Sequence, residues 1–102
     1  MNIEIKEQNG SYIGILSGWI DTNAASQFLD ELKLLEENAD KNIVLDCGAL
    51  EYICSLGLRG LLKLKKTSAA KGGSLVLTKV GGEIQKILTM TGFIKLFEIR
   101  QA

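Results

Sequence analysis

The chain contains no histidine and no proline, two cysteines, and few aromatic residues: one tryptophan, two tyrosines and three phenylalanines in 102 positions. Without histidine, neither a Ser–His nor a Cys–His nucleophile pair can be built within the chain. Two-histidine metal sites are excluded for the same reason, and no motif calls for a cofactor. Without proline, the eleven glycines must do the punctuating. Excess charge of either sign is also missing, because Lys plus Arg equals Asp plus Glu at 12 each. A general nucleic-acid binder would show a basic excess, and attachment to an anionic membrane would need a polybasic segment. No stretch approaches the ~20 apolar residues of a membrane span. Met1 to Lys6 carries no apolar run of secretory length. The lone pair Cys47 and Cys54 therefore reads as reduced thiols in a cytoplasmic protein.

What is present is an ordinary globular composition, 46% hydrophobic and 24% charged. The length suits one domain, 1–102. Two strand-like runs, 2–8 and 11–17, flank Asn9-Gly10, a strong hairpin signal because both residues tolerate positive φ. Gly18-Trp19-Ile20-Asp21-Thr22 leads into a helix whose apolar stripe is Ala25, Phe28, Leu29, Leu32 and Leu35. Asp21 or Thr22 is placed to cap it. Ile43-Val44-Leu45, ending at Asp46, suits a central strand buried on both faces. A loop is expected over 47–54, then a helix from about Leu56 with Leu58, Leu61, Leu62 and Ala69 on its apolar face. Gly72-Gly73 ends that helix. Leu75-Val76-Leu77 is the next buried strand. Ile84, Ile87, Leu88 and Thr91 mark a third helix stopping at Gly92, and a last strand lies near Leu96 to Ile99. The order β-β-α-β-α-β-α-β predicts an α/β fold, a mixed sheet with helices packed on it.

Function in such open sheets gathers where strand carboxyl ends lead into helices, which points to Ser55. A serine there reads most simply as a helix N-cap. The same place suits an anion, because a helix N-terminus offers free N–H groups and partial positive charge. A phosphate on Ser55 would add roughly −1.5 to −2 charges without opposing the fold. Several other features carry less. Cys54 beside Ser55 is a candidate redox thiol or a small buried residue. Trp19 is a candidate partner contact or a cover for the sheet edge. Asp21 and Asp46, at two strand ends, form at most a weak candidate acid pair. Ala70-Lys71-Gly72-Gly73-Ser74 has the wrong order for a phosphate loop and reads as a helix end, and Gly81-Gly82 opens a helix and is a weak candidate for admitting an anion.

Three segments together resemble the anti-anti-sigma factor, or STAS, family of bacterial regulators. Gly18-Trp19-Ile20-Asp21 is similar to the family's Gly-acidic-aliphatic-Asp element. Asp46 through Leu62 is similar to its central signature: a strand ending in Asp, an aromatic–aliphatic pair, Ser, Gly-Leu and a Leu-rich helix. Gly73 through Phe97 is similar to its closing strand–helix–Gly–strand run.

The resemblance implies a non-enzymatic binding protein. Its partner would be an anti-sigma factor that is also a serine-protein kinase. The unmodified form would capture that partner and free a sigma factor, and phosphorylation of the serine that maps onto Ser55 would break the complex. Asp21 maps onto the family's Asp at the same surface, with Trp19, Cys54, Leu56 and Arg59 as further candidate contacts. Cys54 stands where the family often has Asp, Leu56 where it often has a small residue, and Arg59 one turn after Ser55. These substitutions favour a rival, a STAS scaffold or transport-complex subunit that is never phosphorylated. A small-ligand binder or enzyme would instead show a deep polar pocket joining Asp21, Asp46 and Ser55. Family members usually add a C-terminal helix. Here it is expected to be short or absent, which leaves self-association open.

Overall fold

In the computed structural model, which describes residues 1–101, every strand belongs to one five-stranded sheet. The elements are β1 (Asn2–Gln8), β2 (Ser11–Ile20), α1 (Thr22–Glu37), β3 (Asn42–Ile53), α2 (Ser55–Ala70), β4 (Ser74–Thr78), α3 (Gly82–Thr91), a 3-10 turn (Phe93–Lys95) and β5 (Glu98–Arg100). Strand order follows the sequence, β1-β2-β3-β4-β5. The β1–β2 pair is antiparallel and the remaining pairs are parallel. This is the α/β order expected from the sequence, and no helix follows β5 within the described residues.

The hairpin forms as its turn residues require. Asn9 and Gly10 both take positive φ, 53° and 80°, and Gln8 pairs with Ser11 across a two-residue turn. Each later crossover moves one strand in the same direction, so right-handed connections set all three helices on one face. The row Ile5–Gly14–Leu45–Leu77–Ile99 runs across all five strands. It faces the helices, because the space above Gly14 is filled by Leu45 and by Leu35 of α1. The next row, Lys6–Ile13–Val44–Val76–Glu98, alternates to the opposite face.

Three expectations need correction. Residues 47–53 are not a loop: β3 runs on to Ile53 and pairs with β2 through Ile20. From Ile15/Asp46 to Ser17/Ala49, and again from Gly18/Leu50 to Trp19/Tyr52, β3 advances one residue more than β2. These two bulges hide the strand period from a pattern search. Leu29 is exposed, so the apolar face of α1 is narrower than expected. Ala69 is exposed and Leu62 only half-buried while Gly57, Gly60, Leu64 and Ser68 are buried, so the buried face of α2 is rotated from the one expected. Leu96 and Phe97 belong to a turn, and β5 begins at Glu98.

The core joins Phe28, Leu32 and Leu35 of α1 to Leu58, Leu61 and Leu64 of α2 over Leu16, Ile20, Ile43, Leu45 and Ile53. Cys47 is also buried there, and burial first, then the nearby Asp46 charge, pushes its thiol up to about 12 from 9.0. The unfolded thiol ionises above pH 9 while the folded one stays protonated. Stability from this residue is therefore complete below pH 9 and falls by about 1.4 kcal/mol per pH unit towards pH 12. Urea unfolding across pH 8–11 should show that Cys47→Ala falls less steeply than the parent.

Gly73 closes the α2–β4 connection against backbone. A side chain there would overlap the Ala39 carbonyl oxygen and sit 2.6 Å from that of Lys41. Neither obstacle is a flexible side chain. Gly73→Ala should cost about 1–3 kcal/mol, read as a lower urea midpoint at unchanged slope.

Candidate functional site

Two helices begin side by side at the carboxyl edge of the sheet. Ile20 of β2 pairs with Ile53 of β3, and the Cys54 N–H donates to the Ile20 carbonyl at 2.8 Å. Asp21 and Cys54, the next residues on the two strands, are the N-caps of α1 and α2. The shared ladder thus places Asp21 beside the segment that carries Ser55.

The two caps differ chemically. The Asp21 carboxylate accepts from the Ala24 N–H at 2.9 Å, as expected for a helix start. Cys54 has extended backbone and makes no side-chain cap bond. Its carbonyl already accepts from the Leu58 N–H at 3.0 Å, so Ser55 is the first helical residue and not the cap. That corrects the simplest sequence reading. Its consequence is that the N–H groups of the first α2 turn have no capping side chain.

Ser55 is exposed and lies on the rim of a depression of about 330 Å³. Its apolar lining comes from Tyr52, Ile53, Cys54, Leu58, Ile87 and Met90, of which Met90 is 78% exposed. Leu56 and Arg59 line a separate groove between α1 and α2, with Leu29 across from them. Gly60 has no side chain, and Leu29 of α1 packs into the space one would take. Arg59 therefore borders this groove and not the depression that holds Ser55. Cys54 is largely buried, with its remaining exposed edge lining the depression next to Ser55, and it is not displayed as a redox thiol must be.

Asp46 is not at the strand end. It pairs opposite Ile15, six residues before Asp21, which puts it about 20 Å back along the strand direction. There its carboxylate accepts from the Gly48 N–H at 2.9 Å and pairs with Lys79 at 3.3 Å. The imagined Asp21–Asp46 acid pair does not exist. Neither residue lines the depression at Ser55, which is shallow and mostly apolar. Among the described residues no group of three or more His, Cys, Asp or Glu is placed to hold a metal ion. No helix is long and apolar enough to cross a membrane.

Trp19 is 56% exposed and packs on Tyr52, with ring centroids 5.1 Å apart and planes inclined at 32°. Sequence reading singled out Trp19 but missed Tyr52. The link is the second bulge, which brings Trp19 and Tyr52 into register.

A model of the STAS domain matches residues 2–102, and the chain belongs to the STAS domain family. Two relatives match over nearly the full length. The anti-sigma factor antagonist BtrV of Bordetella bronchiseptica, so described provisionally, is 29% identical over 97% of this chain and 85% of its own. The anti-sigma F factor antagonist of Paenibacillus polymyxa is 26% identical over 97% and 86%. An anti-sigma factor antagonist structure from Mycobacterium paratuberculosis shares the fold at TM-score 0.85 and 20% identity, covering 99% of this chain and 86% of that one. The phosphorylated form of the Bacillus cell fate determinant SpoIIAA shares it at 0.72 and 16%, covering 98% and 92%.

The cap assignment can be tested by stability. Asp21→Ala should lose about 1 kcal/mol through its missing cap bond. Ser55→Ala should stay within about 0.5 kcal/mol of the parent, as an exposed residue without such a bond does. Equal losses in urea melts would reinstate Ser55 as a cap.

Proposed function

We propose that this STAS domain is a non-enzymatic anti-sigma factor antagonist acting in the cytoplasm. Its unmodified form binds an anti-sigma factor that is also a serine kinase, and phosphorylation of Ser55 releases it. The observation that carries the reading is the exposed Ser55 at the first position of α2, on the rim of an apolar depression and beside uncapped N–H groups. The names of the full-length relatives support it, and so does the existence of a phosphorylated form of SpoIIAA on the same fold.

The physics of release follows from the site. A phosphate of roughly −1.5 to −2 charges is accepted by the helix end, with about 0.3–1 kcal/mol of favourable dipole interaction at an exposed site. The domain stays folded. A partner lying over the depression must then dehydrate a dianion or withdraw. Like charges brought together at an interface cost several kcal/mol, and each 1.4 kcal/mol is tenfold in affinity. Asp21, Trp19, Leu56 and Arg59 complete the proposed contact surface around Ser55.

The kinase encoded nearest in the genome supplies the test. Incubation with ATP should add one phosphate to the intact mass, localised to Ser55 and absent in Ser55→Ala. Ser55→Asp should bind that kinase at least about tenfold more weakly than the parent. Equal affinity together with an unchanged mass would instead select the unphosphorylated scaffold reading.

A further inference from the structure

A second depression, of about 450 Å³, lies on the far side of Tyr52 from Ser55. Tyr52 and Ile87 line both depressions, so the two are continuous over one edge of the domain. Trp19, Tyr52, Ile84 and Ile87 provide its apolar walls, and the start of α3 at Gly81-Gly82 provides a side without side chains. Its only charged lining residues are Glu51 and Glu83. Among the described residues neither carboxylate takes part in an ion pair. Glu51 is the extra residue of the second bulge, between Leu50, opposite Gly18, and Tyr52, opposite Trp19. Glu83 sits in the first turn of α3.

We propose that the Trp19–Tyr52 pair with Glu51 and Glu83 receives an arginine side chain from a protein partner. The chemistry of the lining selects this occupant. Two carboxylates outweigh the roughly half positive charge of the α3 N-terminus, so the pocket favours a cation. A guanidinium stacks on aromatic faces more often than an ammonium does, and its planar fork matches carboxylates. The apolar walls suit the methylene stem, which an inorganic cation lacks. An exposed tryptophan beside a concave surface is also the residue type that anchors protein contacts. A partner covering Ser55 reaches this pocket without a gap, because the same Tyr52 and Ile87 wall both. The inference rests on the proposed function only for the presence of a protein partner, not for phosphorylation.

Trp19 is the only tryptophan in the chain, so its indole N–H signal reports on the pocket alone. The probe is an N-acetylated, C-amidated tripeptide with arginine between two glycines, titrated into the full chain at low ionic strength. The controls carry citrulline or lysine in the middle. The arginine peptide should shift the indole signal saturably and bind at least about fivefold tighter than the citrulline peptide, its neutral isostere. Glu51→Gln with Glu83→Gln should bring it down to the citrulline level. Glu51→Gln alone, outside any helix, should lose part of the difference and guards against a folding effect at α3. Equal binding of arginine and citrulline peptides, or full binding by the double variant, would overturn the proposal. Tighter binding of free L-arginine than of the capped peptide would overturn it too, by making the pocket a small-molecule site. No kinase is used and Ser55 is unmodified, so these outcomes are independent of the phosphorylation test.

Discussion

The β2–β3 ladder is the constraint on which the functional edge depends. It runs from Tyr12/Ile43 to Ile20/Ile53 and closes with the Cys54 N–H on the Ile20 carbonyl. Ile20 and Ile53 are both buried, and both press against the α2 backbone where Gly57 leaves room. A slip of one residue would turn these side chains to the other face and separate the helix starts. The two bulges let a 12-residue strand end level with a 10-residue one. Without them, β3 would overshoot and Ser55 would no longer lie beside Asp21. Stability and site geometry therefore rest on the same hydrogen bonds and the same two isoleucines.

The caps show how one edge divides its roles. Asp21 spends its carboxylate on the Ala24 N–H, which fixes α1. Cys54 gives α2 no such bond. At the position where this family often carries Asp, an aspartate could satisfy the first-turn donors and contribute about 1 kcal/mol of helix stability. Cysteine forgoes that and leaves the donors to water or to an arriving anion. The substitution thus leaves the electrostatics at Ser55 favourable to an anion. It removes a negative charge next to Ser55 and keeps the helix end uncovered.

Most of the fold was legible in the sequence because its signals are local. Asn9-Gly10 dictates its turn through positive φ, and Asp21 announces a helix through a bond three residues long. The mistakes fall where a partner strand or neighbouring helix decides. Gly48 and Ala49 look like loop residues, yet pairing with β2 holds this region as strand, an override of local propensity. Leu29 belongs to the apolar stripe by spacing, but it sits at the rim of the α1–α2 groove. Ser55 has the chemistry of a cap and misses the role by one position, within the usual uncertainty of helix boundaries. At the candidate site, Ser55, Asp21 and Trp19 could be named from sequence. Tyr52, Glu51 and Glu83 could not, because a bulge and the packing of α3 bring them to Trp19.

The two depressions that share Tyr52 and Ile87 differ in how they respond to charge. The one at Ser55 is mostly apolar, so contact there gains from water release and is lost when a dianion must be dehydrated. The one at Trp19 is acidic, and added negative charge nearby would strengthen its hold on a cation. On the proposed reading, phosphorylation therefore cannot release a partner by weakening the acidic pocket. It must act through the apolar contact, at close range, where desolvation outweighs screened Coulomb attraction. Ser55 meets that requirement: it stands on the rim of the apolar depression and on the first helical residue, where the fold accepts the charge and a covering partner does not.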